Sequence, residues 1–163
     1  MRRLCVFLCL TFMLCPMGSC ASPSDSRYTC KDLTLSLPGV FEDLSEEPYG
    51  QNTDFLLGQD KLIVMGLSEQ KSTLKDMDLQ TYTALVIQGN SLDCPAQSLN
   101  GRYRFTYEAP VEDTLYTYRA VTLETEEHFW IVQCYCPSED FPALEKMADK
   151  ILTDISQYTP TGN

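Results

Sequence analysis

Leu33, Leu35 and Leu37 alternate with Asp32, Thr34 and Ser36. A period of two predicts a half-buried strand, stopped by Pro38-Gly39. An irregular acidic segment, VFEDLSEEPYGQ, follows. TDFLLGQDKLIVMGLS then predicts a hairpin with Gly58-Gln59-Asp60 as its turn. From Asp76 the period changes. Leu79, Tyr82, Leu85 and Val86 recur at three and four, one face of a helix ending near Gly89-Asn90.

After a polar loop, SLDCPAQSLNG, three strands are predicted in close succession: RYRFTYEA, DTLYTYRAVTLE and EHFWIVQCYC. Pro110 and the acidic Thr125-Glu126-Glu127 mark the turns, and connections this short imply antiparallel neighbours. The last strand is apolar on both faces, Phe129 and Ile131 on one and Trp130, Val132, Cys134 and Cys136 on the other. Such a strand must be covered on both sides. A final helix follows, with Ser138 as N-cap and Glu139 and Asp140 in its first turn, where the helix dipole favours negative charge. Its apolar stripe is Phe141, Leu144, Ala148, Ile151, Leu152 and Ile155, and it fades by Tyr158. The order predicts an α+β domain over residues 28–158, an antiparallel sheet of about six strands packed with two helices, and a short tail at 159–163.

The first twenty residues have a different pattern. Arg2 and Arg3 precede a run from Leu4 to Leu14 that is apolar except for Thr11. At ~1.5 Å per residue this reaches roughly 16 Å, short of the ~30 Å bilayer core. It has the parts of a secretory signal peptide. Met17-Gly18-Ser19-Cys20 resembles the bacterial lipobox, with Met17 in the place usually held by leucine. That resemblance implies lipidation of Cys20 and removal of residues 1–19. Several acyl chains would then anchor the chain stably to a membrane, through a flexible tether at 20–27. The alternative is an ordinary secretory cut after Ala21, which discards Cys20.

Charge narrows the partners. Lys and Arg number 12 against 23 acids. Loss of the leader's two arginines leaves 10 against 23, a net charge of −13. A chain this acidic is repelled by nucleic acid and by anionic headgroups.

At this point the order of elements resembles a known fold family. "LTLSLPGVF", the hairpin, a helix carrying Tyr82, then "GRYRFTYEA", "YRAVTLE", "HFWIVQCYCP" and a closing amphipathic helix are similar to the family shared by the photosystem subunit PsbP, a Ran-binding nuclear import factor and small bacterial lipoproteins such as DcrB. The resemblance covers about residues 28–158. It implies a binding or accessory domain without shared active-site residues, so no catalytic position is carried over.

The residues themselves offer few sites. Beyond Cys20, the cysteines are Cys30, Cys94, Cys134 and Cys136. An exported compartment permits disulfides. Cys134 and Cys136 share a strand face and cannot easily bond to each other. Each is expected either to pair with Cys30 or Cys94 or to be a buried free thiol. A zinc site or thiol enzyme built on Cys134-Gln-Cys136 is the minority reading, since a lone C-x-C lacks the second close pair. His128, near a hairpin turn, is expected at the surface, and Arg102 and Arg104 on an outer face beside acids such as Glu108. Tyr103, Phe105, Tyr107, Tyr116, Tyr118, Trp130 and Tyr135 make the strands rich in aromatics, either packed across strands or exposed as a platform for sugars or peptides, with Tyr103, Tyr107, Tyr116 and Tyr118 as its candidate ligand-binding residues.

The sequence therefore predicts an exported, lipid-anchored envelope protein facing outside the cytoplasm. Its domain would be non-catalytic and bind an envelope partner, with no cofactor or metal. The alternatives are a secreted protein with an aromatic ligand pocket or a cysteine-based metal protein or enzyme.

Overall fold

A computed structural model describes residues 25–47 and 52–158. The leader, Cys20 and the tail at 159–163 lie outside the described residues. The elements are β1 (Ser26–Cys30), β2 (Leu33–Leu37), β3 (Glu42–Asp43), β4 (Phe55–Gln59), β5 (Leu62–Gln70), α1 (Leu79–Gly89), β6 (Gln97–Leu99), β7 (Arg102–Val111), β8 (Thr114–Glu124), β9 (His128–Pro137), α2 (Phe141–Thr153) and β10 (Ser156–Gln157). A seven-stranded antiparallel sheet runs β3-β4-β5-β9-β8-β7-β6, and a three-stranded sheet runs β1-β2-β10. The α+β class stands, with more strands than the six expected. β3, β6 and β10 are two or three residues long, too short for a periodic signal. β1 begins at Ser26, inside the span expected as tether.

β9 lies in the middle of the larger sheet with seven successive residues buried, His128 to Cys134. On one side Trp130, Val132 and Cys134 meet Val64 and Leu62 of β5, Val121 and Leu123 of β8, the three leucines of β2 and α2's Ala148, Ile151 and Leu152. On the other, Phe129 packs with Leu79 and Tyr82 of α1, and Ile131 with Ala120, Phe105 and Val86. One face thus carries a helix and a second sheet. The other carries α1 and, after it, Leu92 and Cys94 of the segment leading to β6.

Turn positions differ from expectation in two places. The β4–β5 turn is Asp60-Lys61, with Asp60 at φ 52°. β7 runs through Pro110, and the turn to β8 is Glu112-Asp113, with Glu112 at φ 53°. Ser138 does not cap α2. Its N–H donates to Leu115 O and its hydroxyl accepts from Thr117, while Asp140 occupies the N-cap position.

Arg102 and Arg104 are not on an outer face. Arg102 donates to the carbonyls of Leu152, Thr153 and Ile155 (3.3, 3.3 and 2.5 Å), closing the C-terminus of α2. Arg104 donates to Thr153 Oγ1, and Arg119 to Asp149 and Glu145. Three arginines thus hold α2 along β7 and β8.

His128 is also misplaced by the sequence reading. It is 6% exposed, and its Nδ1 lies 3.0 Å from Asp32 Oδ2. Asp32, in the β1–β2 turn, also accepts from Trp130 Nε1 at 2.9 Å and Thr125 Oγ1 at 2.5 Å. One carboxylate thereby ties the small sheet to the β8–β9 turn. Burial alone raises its pKa. Hydrogen bonds from Thr125, His128 and Trp130, then electrostatic attraction to His128, outweigh that and bring it from 3.8 to about 2.

Two outcomes are expected. Asp32→Ala leaves Trp130 Nε1 and His128 without their acceptor and costs about 2–3 kcal/mol in urea unfolding. Because the folded pKa lies below the unfolded one, the carboxylate's contribution is full above pH ~4 and lost as pH falls towards ~2. The shift corresponds to roughly 2 kcal/mol at most, reduced by partial solvent access. Thermal scans from pH 5 to 2 should show a steeper loss in the native chain than in the variant; parallel curves would remove Asp32 from the acid response. Second, a Cβ at Gly66 would lie 2.1 Å from the Phe55 ring, and Phe55 is fully buried. Gly66→Ala should destabilise by about 1–3 kcal/mol, read as a lowered urea midpoint.

Candidate functional site

The register of the meander builds the site. Tyr107 of β7 pairs with Tyr118 of β8, and Tyr118 with Tyr135 of β9. Side chains at paired positions project from the same face, so three tyrosines form a row across the sheet, on the side of α1. Tyr107 and Tyr118 stack at 4.8 Å with 3° between ring planes, and Tyr118 and Tyr135 at 4.8 Å and 23°. Phe105 extends the stack at 6.2 Å, and Tyr116 meets Tyr135 edge-on at 6.2 Å. Both ring faces of Tyr118 are therefore occupied by neighbouring tyrosines. The rings stand up from the sheet with their edges towards solvent. A sugar platform needs an open ring face, and the centre of this row offers none.

α1 packs over one end of the same face, and the row lies beyond its C-terminal end. Between them is a groove of about 490 Å³ with Met65, Leu67, Leu92, Ile131 and Val86 among its walls. Gln133, Asn90 and Glu69 supply polar atoms at its edge. Tyr107 Oη donates to Gln133 Oε1 at 2.6 Å. Burial, then the neighbouring Tyr118, raises the Tyr107 pKa, and burial, then Tyr116, raises that of Tyr118. These phenols stay protonated at neutral pH and act as hydrogen-bonding groups.

Of the expected aromatic residues, the structure brings Tyr107 and Tyr118 together and places Tyr116 one pair further out. Tyr103 is apart, half-buried under α1 against Leu79, Tyr82 and Phe129. Tyr135 joins the row as one of the expected aromatics, whereas Met65, Leu67 and Gln133 were not foreseen as part of the site. Their signal was register: a turn at Glu112-Asp113 sets Tyr107 opposite Tyr118, and no residue-by-residue pattern shows that.

The four cysteines are free thiols in separate settings. Cys134 and Cys136 are buried and Cys30 and Cys94 half-buried. Cys30 Sγ points to Asp54 O at 3.7 Å. Cys94 packs against the Phe105, Ala120 and Ile131 cluster, on the same face of the large sheet as α1 and the tyrosine row. Burial raises every one of these pKa values, helped by Asp54 at Cys30, Asp93 at Cys94, Asp149 at Cys134 and Asp140 at Cys136. Thiols held protonated are poor nucleophiles and poor metal ligands. Among the described residues, no group of three or more His, Cys, Asp or Glu is placed to hold a metal ion.

No protein-family model matches the chain, and no curated protein matches it in sequence. Solved structures do match. The solution structure of cyanobacterial PsbP (CyanoP) from Synechocystis aligns with a TM-score of 0.56 at 12% identity, over 89% of this chain and 99% of that one. A crystal structure from Bacteroides thetaiotaomicron aligns with a TM-score of 0.55 at 9% identity, over 86% of this chain and 50% of that one. LpqN, involved in cell envelope biogenesis of Mycobacterium tuberculosis, aligns with a TM-score of 0.52 at 12% identity, over 83% of this chain and 91% of that one. At such identities the likeness is one of architecture, and in architecture this chain has the PsbP-like fold.

Proposed function

We propose that this chain is an exported, lipid-anchored envelope protein whose domain binds another envelope protein and does no chemistry of its own. The observation that carries this reading is the uncovered half of the large sheet beyond α1. It is a formed surface of stacked tyrosines and an apolar groove, with no nucleophile and base brought together in it. Two further observations support it. LpqN, which shares the fold, is involved in cell envelope biogenesis. The lipobox-like Met17-Gly18-Ser19-Cys20 supports an anchor of lipid on Cys20.

Two measurements test the two halves of the proposal. The mass of the mature N-terminal peptide should be that of a lipidated Cys20. An unmodified peptide starting at Ser22 removes the anchor. Photo-crosslinking in intact cells, from reactive residues placed in turn at Leu67, Leu85, Asp113 and Gln80, should give one reproducible protein partner. Met65→Glu puts a carboxylate in the groove and should reduce that product about tenfold, equivalent to ~1.4 kcal/mol. Repeated failure to capture any partner from all four positions overturns the binding reading.

A further inference from the structure

We infer that the outer edge of β7, from Thr106 to Pro110, is a docking site for an extended segment of an envelope protein, which adds to the large sheet as a further strand. The inference rests on the proposed binding role and names its contact surface.

Two tight turns fix which way the backbone groups of β7 point. Two residues, Asn100-Gly101, join β6 to β7, and two, Glu112-Asp113, join β7 to β8. In a hairpin with a two-residue loop, the pair that closes the loop exchanges both backbone hydrogen bonds, and such pairs then alternate along the ladder. Val111↔Thr114 closes one turn, so Ala109, Tyr107, Phe105 and Tyr103 bond inward to β8. Leu99↔Arg102 closes the other, so Arg102 and Arg104 bond outward to β6. The two assignments agree. They leave Thr106, Glu108 and Pro110 with their backbone groups directed away from β8.

No backbone hydrogen bond from the described residues reaches them on that side, while Leu92 and Cys94 pack nearby on the α1 face. β6 ends at Gln97, opposite Arg104. Continued in register, Pro95 would lie opposite Thr106, and proline has no N–H to give. Thr106 and Glu108 have no backbone partner on the outer side, and all three residues are exposed. Pro110 is tolerated because its nitrogen faces outward. The edge thus offers two N–H donors and three carbonyls over roughly 17 Å.

A second copy of this chain does not fit that edge. β6 occupies the lane beside Arg102 and Arg104 in each copy. An antiparallel register that clears it sets Glu108 against Glu108, or against Pro110, which cannot donate. A heterologous segment meets neither obstacle. On the α1 side its side chains lie beside Tyr107 and Ala109, next to Leu92 and near Cys94, which favours apolar residues. On the other side they meet Glu108, with Glu112 and Asp113 just beyond. None of these three acids is in an ion pair among the described residues. The fitting occupant is therefore a stretch of about five residues that alternates apolar side chains with at least one Lys or Arg.

The test uses the full chain in its own cells, with a photoreactive residue at Asp113. Thr106→Pro removes one outward N–H and leaves the ladder to β8 intact; Thr106→Val keeps that N–H. The crosslinked product should fall at least tenfold in Thr106→Pro and persist in Thr106→Val. Glu108→Lys, which leaves every backbone bond in place, should also reduce it at least fivefold. In the full chain without a partner, amide exchange by NMR should be fast at Thr106 and Glu108 and slow at Phe105 and Tyr107. Survival of the product in both Thr106→Pro and Glu108→Lys overturns the inference, as does a product made of two copies of this chain. Capture from Leu67, Leu85 or Gln80 with none from Asp113 overturns the edge alone; no capture from any position overturns the binding role with it.

Discussion

β9 carries apolar side chains on both of its faces, and most of the architecture answers that fact. A strand buried on two sides needs two layers over it. The sequence supplies them unequally. α2 and the β1-β2-β10 sheet close one side, sealing Trp130, Val132 and Cys134 completely. α1 closes the other only as far as Phe129, Ile131 and Phe105. Strands β7, β8 and β9 are ten or eleven residues long, about 33 Å, while the eleven residues of α1 span about 16 Å. The helix is half the length of the strands it lies on. What it leaves open is the tyrosine row.

That mismatch explains why the tyrosines stack. A half-covered face of aliphatic residues would be an exposed apolar patch of the kind soluble proteins avoid. Tyrosine resolves the conflict, because its ring packs against neighbours while its hydroxyl keeps a polar partner. Tyr107 shows both, stacked on Tyr118 and bonded to Gln133. The same geometry that protects the surface also limits its chemistry. Rings stacked face to face present edges and hydroxyl groups, which suits shape and hydrogen bonding with a protein better than stacking with a sugar.

Much of the fold was legible in the sequence because it is written in local periods. The alternation in Leu33 to Leu37, the helical spacing from Leu79 to Val86 and the stripe of α2 all name elements that exist. Features set by distant partners were not legible. Arg102 and Arg104 looked like surface residues because alternation assigns faces without saying which face a helix fifty positions later will cover. His128 looked exposed because it follows a turn, yet Asp32 reaches it from another sheet. Pro110 looked like a turn residue, a fair inference from composition. Its real meaning lies in the direction of its nitrogen, which only the register discloses.

The Asp32 cluster and the β7 edge treat backbone and polar demand in opposite ways. At Asp32, one carboxylate gathers donors from three side chains, and the small sheet is locked to the large one. At β7, Pro95 stops the neighbouring strand and the outward groups of Thr106 and Glu108 are left to water. Sheet edges of this kind are commonly blunted by charge and proline, and Glu108 and Pro110 are of those types. Here both lie where they bar a second copy of the chain and still leave two complete backbone positions open. A device that only prevented self-association would not need to leave them. On the proposed docking role, an edge closed to its own copies and open to a basic, apolar segment is selective, and selectivity by exclusion is how specific binding surfaces discriminate among partners.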